Sequence, residues 1–378
     1  MRIGIDLLYL LPGVVGGTET YARGLLQGFA ALEDEHEYLV FLNRESAELP
    51  LPACERMVRV VCPVEARSRW QRHLYTQTAF PRLLRAHNLD IVHSLGYVAP
   101  LWSRCPRVVT IPDLNYEAFG DQMPALRRTT LRLLVPASAR RSSRVIAISE
   151  FAKRELVRHM RIPPDRVVVT YLAADTRRRE ASDDKAADAA LARRSIRAPY
   201  GVLFCGVDRP NKNIAAALRA FEIARTRDRL THRLVVIGHR PTEQETVDAL
   251  DGGVRSGSVV ATGFVSDEER DALLTRAQFL LFPSLYEGFG LPILEAMTLG
   301  VPVACSRSGP LPEVAGEAAV FFDPRSEEEM AGAIGRIAQD SALRERLRAL
   351  GDAQSRRFDW VRTARETHAV YRNCVGKP

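Results

Sequence analysis

Short, continuous runs of β-branched and aliphatic residues recur along the chain, separated by longer helix-like segments. Runs that are apolar at every position, without in-out alternation, are typical of parallel strands buried on both faces. The first series of runs comprises residues 3–8, 38–42, 57–61, 90–93, 108–111, 145–148 and 167–170. The second series comprises residues 202–205, 234–237, 259–262, 279–282, 302–305 and 319–322. The pattern predicts two α/β units, each built on a doubly wound parallel sheet.

A polar, charged segment without an apolar run separates the two series. It starts at Thr176, contains three consecutive arginines and continues into an alanine-rich stretch that ends near Arg194. With 378 residues, the chain is long enough for two cores of ordinary size. We therefore expect a first domain over 1–175, a linker over 176–198 and a second domain over 199–355.

Composition indicates the cellular compartment in which such a chain functions. Apolar residues make up 46% and charged residues 26% of the sequence, which is typical of a soluble globular protein. The six cysteines are dispersed without metal-ligand spacing, as expected of reduced thiols. Asp6 interrupts the apolar N-terminus, and no run approaches the length of a membrane span. We expect a cytoplasmic protein whose membrane contact is peripheral and on the inner face.

Basic residues are unevenly distributed within the net charge of +7. Arginines crowd the stretch from Arg127 to Arg166, and this excess favours an anionic partner. A second basic stretch, Arg67 to Tyr75, places Trp70 and Leu74 on one helix face, as in helices that lie on anionic membranes. A solvated basic helix face is the equal alternative. No nucleic-acid motif is present, so we expect no nucleic-acid partner.

The segment from Ser284 to Met297 follows a predicted strand and leads into a predicted helix. Gly288 and Gly290 lack a Cβ atom, so their backbone N–H groups can approach a ligand closely. A helix N-terminus that follows such a turn attracts anions through its unpaired N–H groups and its dipole. Glu287 and Glu295 flank this site and can accept hydrogen bonds from hydroxyl groups. The segment predicts a site for a sugar nucleotide, with a plain glycine-rich turn as the alternative.

Two cations follow the first strand of the second series. Arg209 and Lys212 lie three residues apart at the start of the next predicted helix, so both can reach one anion. A bidentate arginine and a lysine point charge suit a leaving diphosphate, whose charge grows in the transition state. Two exposed cations at a helix start are the alternative, but they would oppose the helix dipole.

A glycine-rich stretch, Gly13 to Ala22, follows the first strand of the chain. It lacks the G-x-G-x-x-G spacing of a dinucleotide site. A simple turn explains this stretch as well as a phosphate-binding loop does.

These motifs together resemble the signature of retaining glycosyltransferase family 4, in which seven residues separate two glutamates. The resemblance extends over nearly the whole chain, from the glycine-rich stretch to the closing segment around Trp360. It implies the GT-B fold, an α/β architecture of two Rossmann-like doubly wound domains facing an interdomain cleft. It also implies that the closing segment 356–378 is a helix that crosses back to the first domain, which holds the acceptor.

The resemblance assigns roles to individual residues. Glu287 and the backbone of Gly288, Phe289 and Gly290 would hold the donor sugar, Leu291 its phosphate and Glu295 its ribose. Arg209 and Lys212 would hold the diphosphate. Further donor contacts would come from Gly16, Gly17 and Val265.

One triplet departs from the family pattern. Family members commonly carry His-Asp-Leu after the strand at 108–111, whereas this chain has Pro112, Asp113 and Leu114. The histidine that lies near the reacting sugar is therefore missing. Either Asp113 or a backbone carbonyl takes part of its role, or the sugar is oriented differently.

No D-x-D motif for a metal appears in a plausible loop, and Arg209 and Lys212 offer the charge that a metal would supply, so we predict a transferase without a metal or other cofactor. The resemblance implies a hexosyltransferase that retains the anomeric configuration of its donor. The motifs most resemble mannosyltransferases of bacterial surface polysaccharide synthesis, of the mannosyltransferase B type. GDP-mannose is the favoured donor, with UDP-glucose, UDP-N-acetylglucosamine and dTDP-rhamnose as alternatives, and the acceptor is a glycan, a lipid-linked sugar or a small molecule. A nucleotide-sugar epimerase or hydrolase is the alternative function.

Overall fold

The computed structural model describes residues 1–175, 184–206 and 210–376. They form two compact units. The first unit contains the described residues of Met1–Ala173 and Phe358–Pro378, and the second unit contains those of Ala174–Arg357.

The first unit is built on a seven-stranded sheet in which every strand pair is parallel. Its strands are β1 Arg2–Asp6, β2 Glu37–Leu42, β3 Met57–Val61, β4 Ile91–Ser94, β5 Arg107–Thr110, β6 Arg144–Ala147 and β7 Val167–Val169. Its helices are α1 Gly17–Ala30, α2 Arg69–Ala86, α3 Asn115–Ala118, α4 Ala125–Arg141 and α5 Glu150–Met160. The strand order is β3-β2-β1-β4-β5-β6-β7, so the order reverses between β1 and β4.

The second unit repeats this architecture with six parallel strands. Its strands are β8 Tyr200–Cys205, β9 Arg233–Gly238, β10 Val259–Gly263, β11 Phe279–Phe282, β12 Val303–Ser306 and β13 Ala319–Phe322. Its helices are α6 Asp184–Arg193, α7 Ile214–Arg227, α8 Gln244–Ser256, α9 Asp267–Thr275, α10 Leu291–Thr298, α11 Leu311–Ala315, α12 Glu327–Gln339 and α13 Ser341–Ser355. The order β10-β9-β8-β11-β12-β13 reverses between β8 and β11.

Most strands are buried because helices cover both faces of each sheet, whereas the edge strand β3 is largely exposed. In the first unit, the strand register places Phe41 and Val109 on the same face of the sheet. Phe41 packs there in a cluster with Phe80 of α2, and Val109 packs in a cluster with Val135 of α4. In the second unit the central strands contribute Leu203, Phe279 and other apolar side chains to a continuous core. The predicted fold class, two doubly wound parallel sheets, is confirmed.

The closing helix, α14 Trp360–Val375, packs against α1 within the first unit. Gly28 permits the close approach, since a Cβ atom there would overlap the carbonyl oxygen of Trp360. Tyr371 then reaches the sheet, where its hydroxyl lies 2.6 Å from Nδ1 of the buried His93. Burial lowers the pKa of His93 to about 3, so this ring is neutral and serves the core.

The linker expected over 176–198 differs from the structure in its second half. Residues 176–183 lie outside the described part of the chain, whereas 184–193 form a helix of the second unit. Ion pairs explain the attachment: Asp188 meets Arg276 at 3.0 Å, and Arg194 meets Glu269 at 3.0 Å. Among the described helices, none is long and apolar enough to cross a bilayer.

Candidate active site

The motifs of the second unit meet where the strand order of its sheet reverses. In open parallel sheets, ligands bind beyond the carboxyl ends of the strands at this switch point. The segment after β8 leads to Lys212, and the segment after β11 leads to Glu287. Arg209, the other predicted diphosphate ligand, lies outside the described residues.

Asparagine side chains tie these two loops together. Asn211 Nδ2 donates to Tyr286 O at 2.9 Å, and Leu285 N donates back to Asn211 O at 2.7 Å. Asn213 Nδ2 donates to Pro283 O at 3.3 Å and adopts the left-handed backbone conformation that starts α7. Asparagine tolerates this conformation better than most residues. The loops therefore form one connected surface, which sequence spacing alone did not predict.

Lys212 and Glu287 form an ion pair at the centre of this surface. Lys212 Nζ lies 2.5 Å from Glu287 Oε1, and the side chains are only 19% and 16% exposed. The ammonium also lies 5.3 Å from the ring centroid of Phe282, a cation-π distance. Partial burial strengthens such a pair relative to a surface pair. A cation and a hydrogen-bond acceptor thus stand side by side, where one ligand with a phosphate and a hydroxyl group can meet both.

Glycine shapes the backbone between the ion pair and α10. Gly290 has a φ of 109°, and a Cβ atom there would lie 2.6 Å from Leu311 Cδ2. Gly290 caps α10, and Leu291 begins it. Phe289 is buried, which anchors the turn next to Gly288. The turn thus ends at a helix N-terminus, as an anion site requires.

Glu295 lies one turn into α10, is buried and faces an arginine that the sequence motifs did not reveal. Its Oε1 lies 4.0 Å from Arg270 Nη2, and Arg270 also pairs with Asp271 and Asp267 at 3.1 and 2.9 Å. Burial alone would lower the pKa of Arg270, but Glu295 and the aspartates raise it. Arg270 lies in α9, which begins two residues after the buried Val265, so its charge links α9 to Glu295 of α10.

Three predicted site residues belong to the first unit. Gly16 has φ 61° and ψ −129°, a conformation open essentially to glycine, and it caps α1. Gly17 is the first residue of that helix. Asp113 Oδ1 accepts hydrogen bonds from Tyr97 Oη at 2.7 Å and from Asn115 N at 3.0 Å. These bonds fix the position of the Asp113 carboxylate in the loop after β5.

One group of described residues has the composition of a metal site. The ligand atoms of Asp34, His36 and His368 lie within 4.8 Å of one another. Tyr38 Oη donates to Asp34 Oδ2 at 3.1 Å and lies 2.6 Å from His368 Nε2, so these atoms already have partners. Asp34 and His36 precede β2, so the group lies at the amino ends of the strands, away from their carboxyl ends. His368 belongs to the closing helix, so these contacts hold that helix against the sheet.

Sequence profiles match both units. A profile described as Glycosyltransferase Family 4 matches residues 15–178. A second, described as Glycosyl transferases group 1, matches residues 199–340.

Curated relatives of similar sequence are bacterial sugar transferases. The chain is 31% identical over 291 residues to O-antigen chain mannosyltransferase B of Escherichia coli, covering 76% of each chain. It is 30% identical over 263 residues to the serotype-specific mannosyltransferase WbdA of the same species, where 67% of this chain matches 31% of the relative. The chain thus spans about a third of WbdA.

Solved structures match over nearly the full length. A sucrose-phosphate synthase from Thermosynechococcus elongatus has a TM-score of 0.75 at 18% identity, covering 99% of this chain and 98% of the other. WaaG, a glycosyltransferase involved in lipopolysaccharide biosynthesis, has a TM-score of 0.73 at 18% identity, with 99% and 100% covered. Both likenesses concern the GT-B fold.

Proposed function

The chain belongs to glycosyltransferase family 4 and is a hexosyltransferase, and from this premise we propose that it transfers mannose from GDP-mannose to an acceptor hydroxyl group. The main support for the proposed donor site is the ion pair of Lys212 and Glu287 at the switch point of the second sheet. The mannosyltransferase names of its relatives favour mannose as the sugar. The acceptor is a glycan, a lipid-linked sugar or a small molecule.

In this proposal the ion pair opens to accept the donor. Lys212 turns to the diphosphate, and Arg209 adds a bidentate contact next to it. Glu287 accepts a hydrogen bond from a mannose hydroxyl, and the backbone of residues 288–291 approaches the sugar and phosphate. Glu295, held beside Arg270, accepts from the ribose.

Transfer then breaks the bond between mannose C1 and the diphosphate oxygen. Negative charge grows on the departing GDP, where Lys212 stabilises it more strongly than in the ground state. The acceptor oxygen bonds to C1 on the same face, which retains the configuration, and its proton passes to the departing phosphate. Because lysine and arginine neutralise the diphosphate, the proposal needs no metal and no other cofactor.

A peripheral position on the inner face of an anionic membrane is part of the proposal. Trp70 and Leu74 are 67% and 56% exposed near the start of α2, where Arg67 and Arg69 accompany them. Aromatic and aliphatic side chains among arginines suit the boundary between headgroups and acyl chains. Nucleic acid is not a proposed partner.

A donor screen followed by an acceptor test checks the proposal. GDP-mannose, UDP-glucose, UDP-N-acetylglucosamine and dTDP-rhamnose are compared by thermal shift, and we expect the largest stabilisation from GDP-mannose. The preferred donor is then incubated with and without mannose-terminated oligosaccharides. Transfer only with an acceptor supports the proposal, whereas a new free sugar at the same rate without one supports the epimerase or hydrolase alternative.

A further inference from the structure

A small cavity lies at the switch point of the first sheet, between the carboxyl ends of β1 and β4. Its volume is about 20 Å³, and Asp6, Arg72, His73, Thr76 and Gly96 are among its lining residues. Asp6 is the last residue of β1, and Gly96 follows β4 by two positions. The cavity thus occupies in the first unit the topological position that the Lys212 and Glu287 pair occupies in the second.

Arg72 is the cavity residue with the most unused hydrogen-bonding capacity. In the described part of the chain, its half-buried guanidinium makes one hydrogen bond, from Nη1 to Ala66 O at 3.3 Å. A guanidinium has five N–H donors, and groups removed from water normally find partners. Burial lowers the pKa of Arg72 to about 10, so the group stays charged at neutral pH. Its remaining donors suit oxygen atoms supplied by a ligand.

The charges around the cavity favour an anionic ligand. Arg69 and Arg127 lie near enough to lower the pKa of Arg72, after the larger effect of burial. Asp6 opposes them, but its oxygens already accept from Leu8 N at 3.0 Å and Ser94 Oγ at 2.7 Å. Burial raises the pKa of Asp6 to about 6, so its carboxylate is largely ionised at pH 7 and loses its charge as the pH falls through 6.

The other nearby groups add one further negative charge, that of Glu45. Glu45, whose carboxylate also acts on Arg72, accepts from Ala66 N at 2.8 Å and Arg67 N at 3.0 Å. Burial lowers the pKa of His73 to about 4, so its ring is neutral. Thr76 is buried, uncharged and lines the cavity. Three guanidiniums therefore face two carboxylates, each of which already has its own hydrogen bonds.

We propose that this cavity receives a phosphate group of the acceptor and that Arg72 binds it. The proposal rests on the proposed function, because it concerns the second substrate of the transferase. A cavity of this size holds on the order of one water-sized group. One phosphate oxygen enters it beside Arg72, and the remaining oxygens stay at the mouth near Arg69 and Arg127. The acceptor class is thus a phosphorylated sugar, either soluble or linked to a lipid through a diphosphate.

Titrations of the full chain in the presence of saturating GDP test this site while the donor site is occupied. The probes are mannose 6-phosphate for the soluble source, decyl diphosphate for the lipid source and methyl α-mannoside as the uncharged reference. Arg72→Met removes the charge, and Arg82→Met, an exposed arginine of the same helix, is the matched control. Arg72→Gln takes the place of Arg72→Met if circular dichroism shows that variant to be unfolded.

We expect a phosphate probe to bind the wild type and Arg82→Met equally, and Arg72→Met to weaken that binding by about tenfold or more, the value of a charge-assisted hydrogen bond. Binding of mannose 6-phosphate assigns the soluble source, and binding of decyl diphosphate alone assigns the lipid source. Equal binding by Arg72→Met and Arg82→Met, or preference for methyl α-mannoside, would overturn the proposal.

GDP-mannose titrations without GDP separate this inference from the proposed function. Wild-type protein that does not bind GDP-mannose contradicts the proposed function, whatever the phosphate probes do. Arg72→Met that keeps GDP-mannose affinity within about twofold and loses the phosphate probe supports the acceptor site. Arg72→Met that loses GDP-mannose instead would assign Arg72 to the donor and overturn the inference.

Discussion

The two sheets reverse their strand order in the same way, but the polar groups at their switch points are arranged differently. In the second unit, Lys212 and Glu287 pair with each other at 2.5 Å. In the first unit, Asp6 uses its oxygens on Leu8 and Ser94, while Arg72 keeps most of its donors unused. When a ligand binds the second unit, the ion pair of Lys212 and Glu287 can separate, and each side chain then contacts the ligand from its existing position. In the first unit, the unused N–H donors of Arg72 instead favour a ligand that carries negative charge.

The largest expected effect comes from breaking the pair in the second unit. Lys212→Met and Glu287→Gln should each lower kcat by about 10² to 10³, because each removes a group that interacts with developing charge or with the reacting sugar. Lys185→Met, an exposed lysine of the same unit, is the control and should keep wild-type turnover. Steady-state kinetics with saturating donor measure the effect. Turnover near wild type in either site variant, with the fold intact by circular dichroism, contradicts the donor-site assignment.

Gly290→Ala tests whether the turn beside that ion pair requires a glycine. A side chain at φ 109° is strained and would overlap Leu311, so we expect a loss of about 2–3 kcal/mol in stability. Gly252→Ala is the matched control, because Gly252 lies in α8 with open space around it. Alanine there should raise stability by about 0.5–1 kcal/mol. Calorimetric melting temperatures that shift equally in both variants would show that the turn is not strained.

Asp6→Asn tests how ionisation of Asp6 at the switch point of the first sheet changes the stability of the protein with pH. Burial raises the pKa of Asp6 to about 6 in the folded protein, above about 3.9 in an unfolded chain. The protonated form is therefore favoured by folding, and its stability contribution is full below pH 4 and is lost as the pH rises through 6. The full loss amounts to about 3 kcal/mol.

The wild type should accordingly lose more stability than Asp6→Asn between pH 4 and pH 7. Urea midpoints of both proteins at these two pH values measure the difference. Parallel changes in the two proteins would show that Asp6 does not titrate in this way.

The smallest effect concerns the basic helix next to the first switch point. Trp70→Ser should weaken binding to vesicles with anionic lipids by about three- to tenfold, since it removes a large apolar side chain from the boundary region. Trp102→Ser, an equally exposed tryptophan outside α2 that stacks with Arg141, is the control. Co-sedimentation with vesicles measures both. Equal binding by the two variants would favour a solvated helix face.

Much of the fold followed from the sequence because parallel strands buried on both faces carry their own signal. The predicted run at 279–282 is β11 itself, and the run at 167–170 differs from β7 by one residue. The second half of the expected linker was wrong for a physical reason. Asp188 and Arg194 are polar in sequence, yet they pair with Arg276 just after α9 and with Glu269 of α9, and they fold with the second unit.

The two candidate sites differ in how much the sequence could reveal. Residues 287–295 form one contiguous motif, so their spacing in the sequence was enough to predict that they lie close together. Arg270 was missed because only the fold brings it to Glu295. The cavity at Arg72 combines a strand end, a helix side chain and a loop from separate parts of the chain. Arg72 stood within a stretch that the sequence left equally open as a membrane surface or a solvated helix face, and no motif marks its approach to Asp6.

Hydrogen-deuterium exchange with GDP-mannose tests the central claim most directly. We predict that the donor slows exchange of the backbone amides over 284–292, and that Lys212→Met abolishes this protection while Lys185→Met preserves it. Unchanged exchange over 284–292 at donor concentrations that saturate binding would show that the switch point of the second sheet is not the donor site.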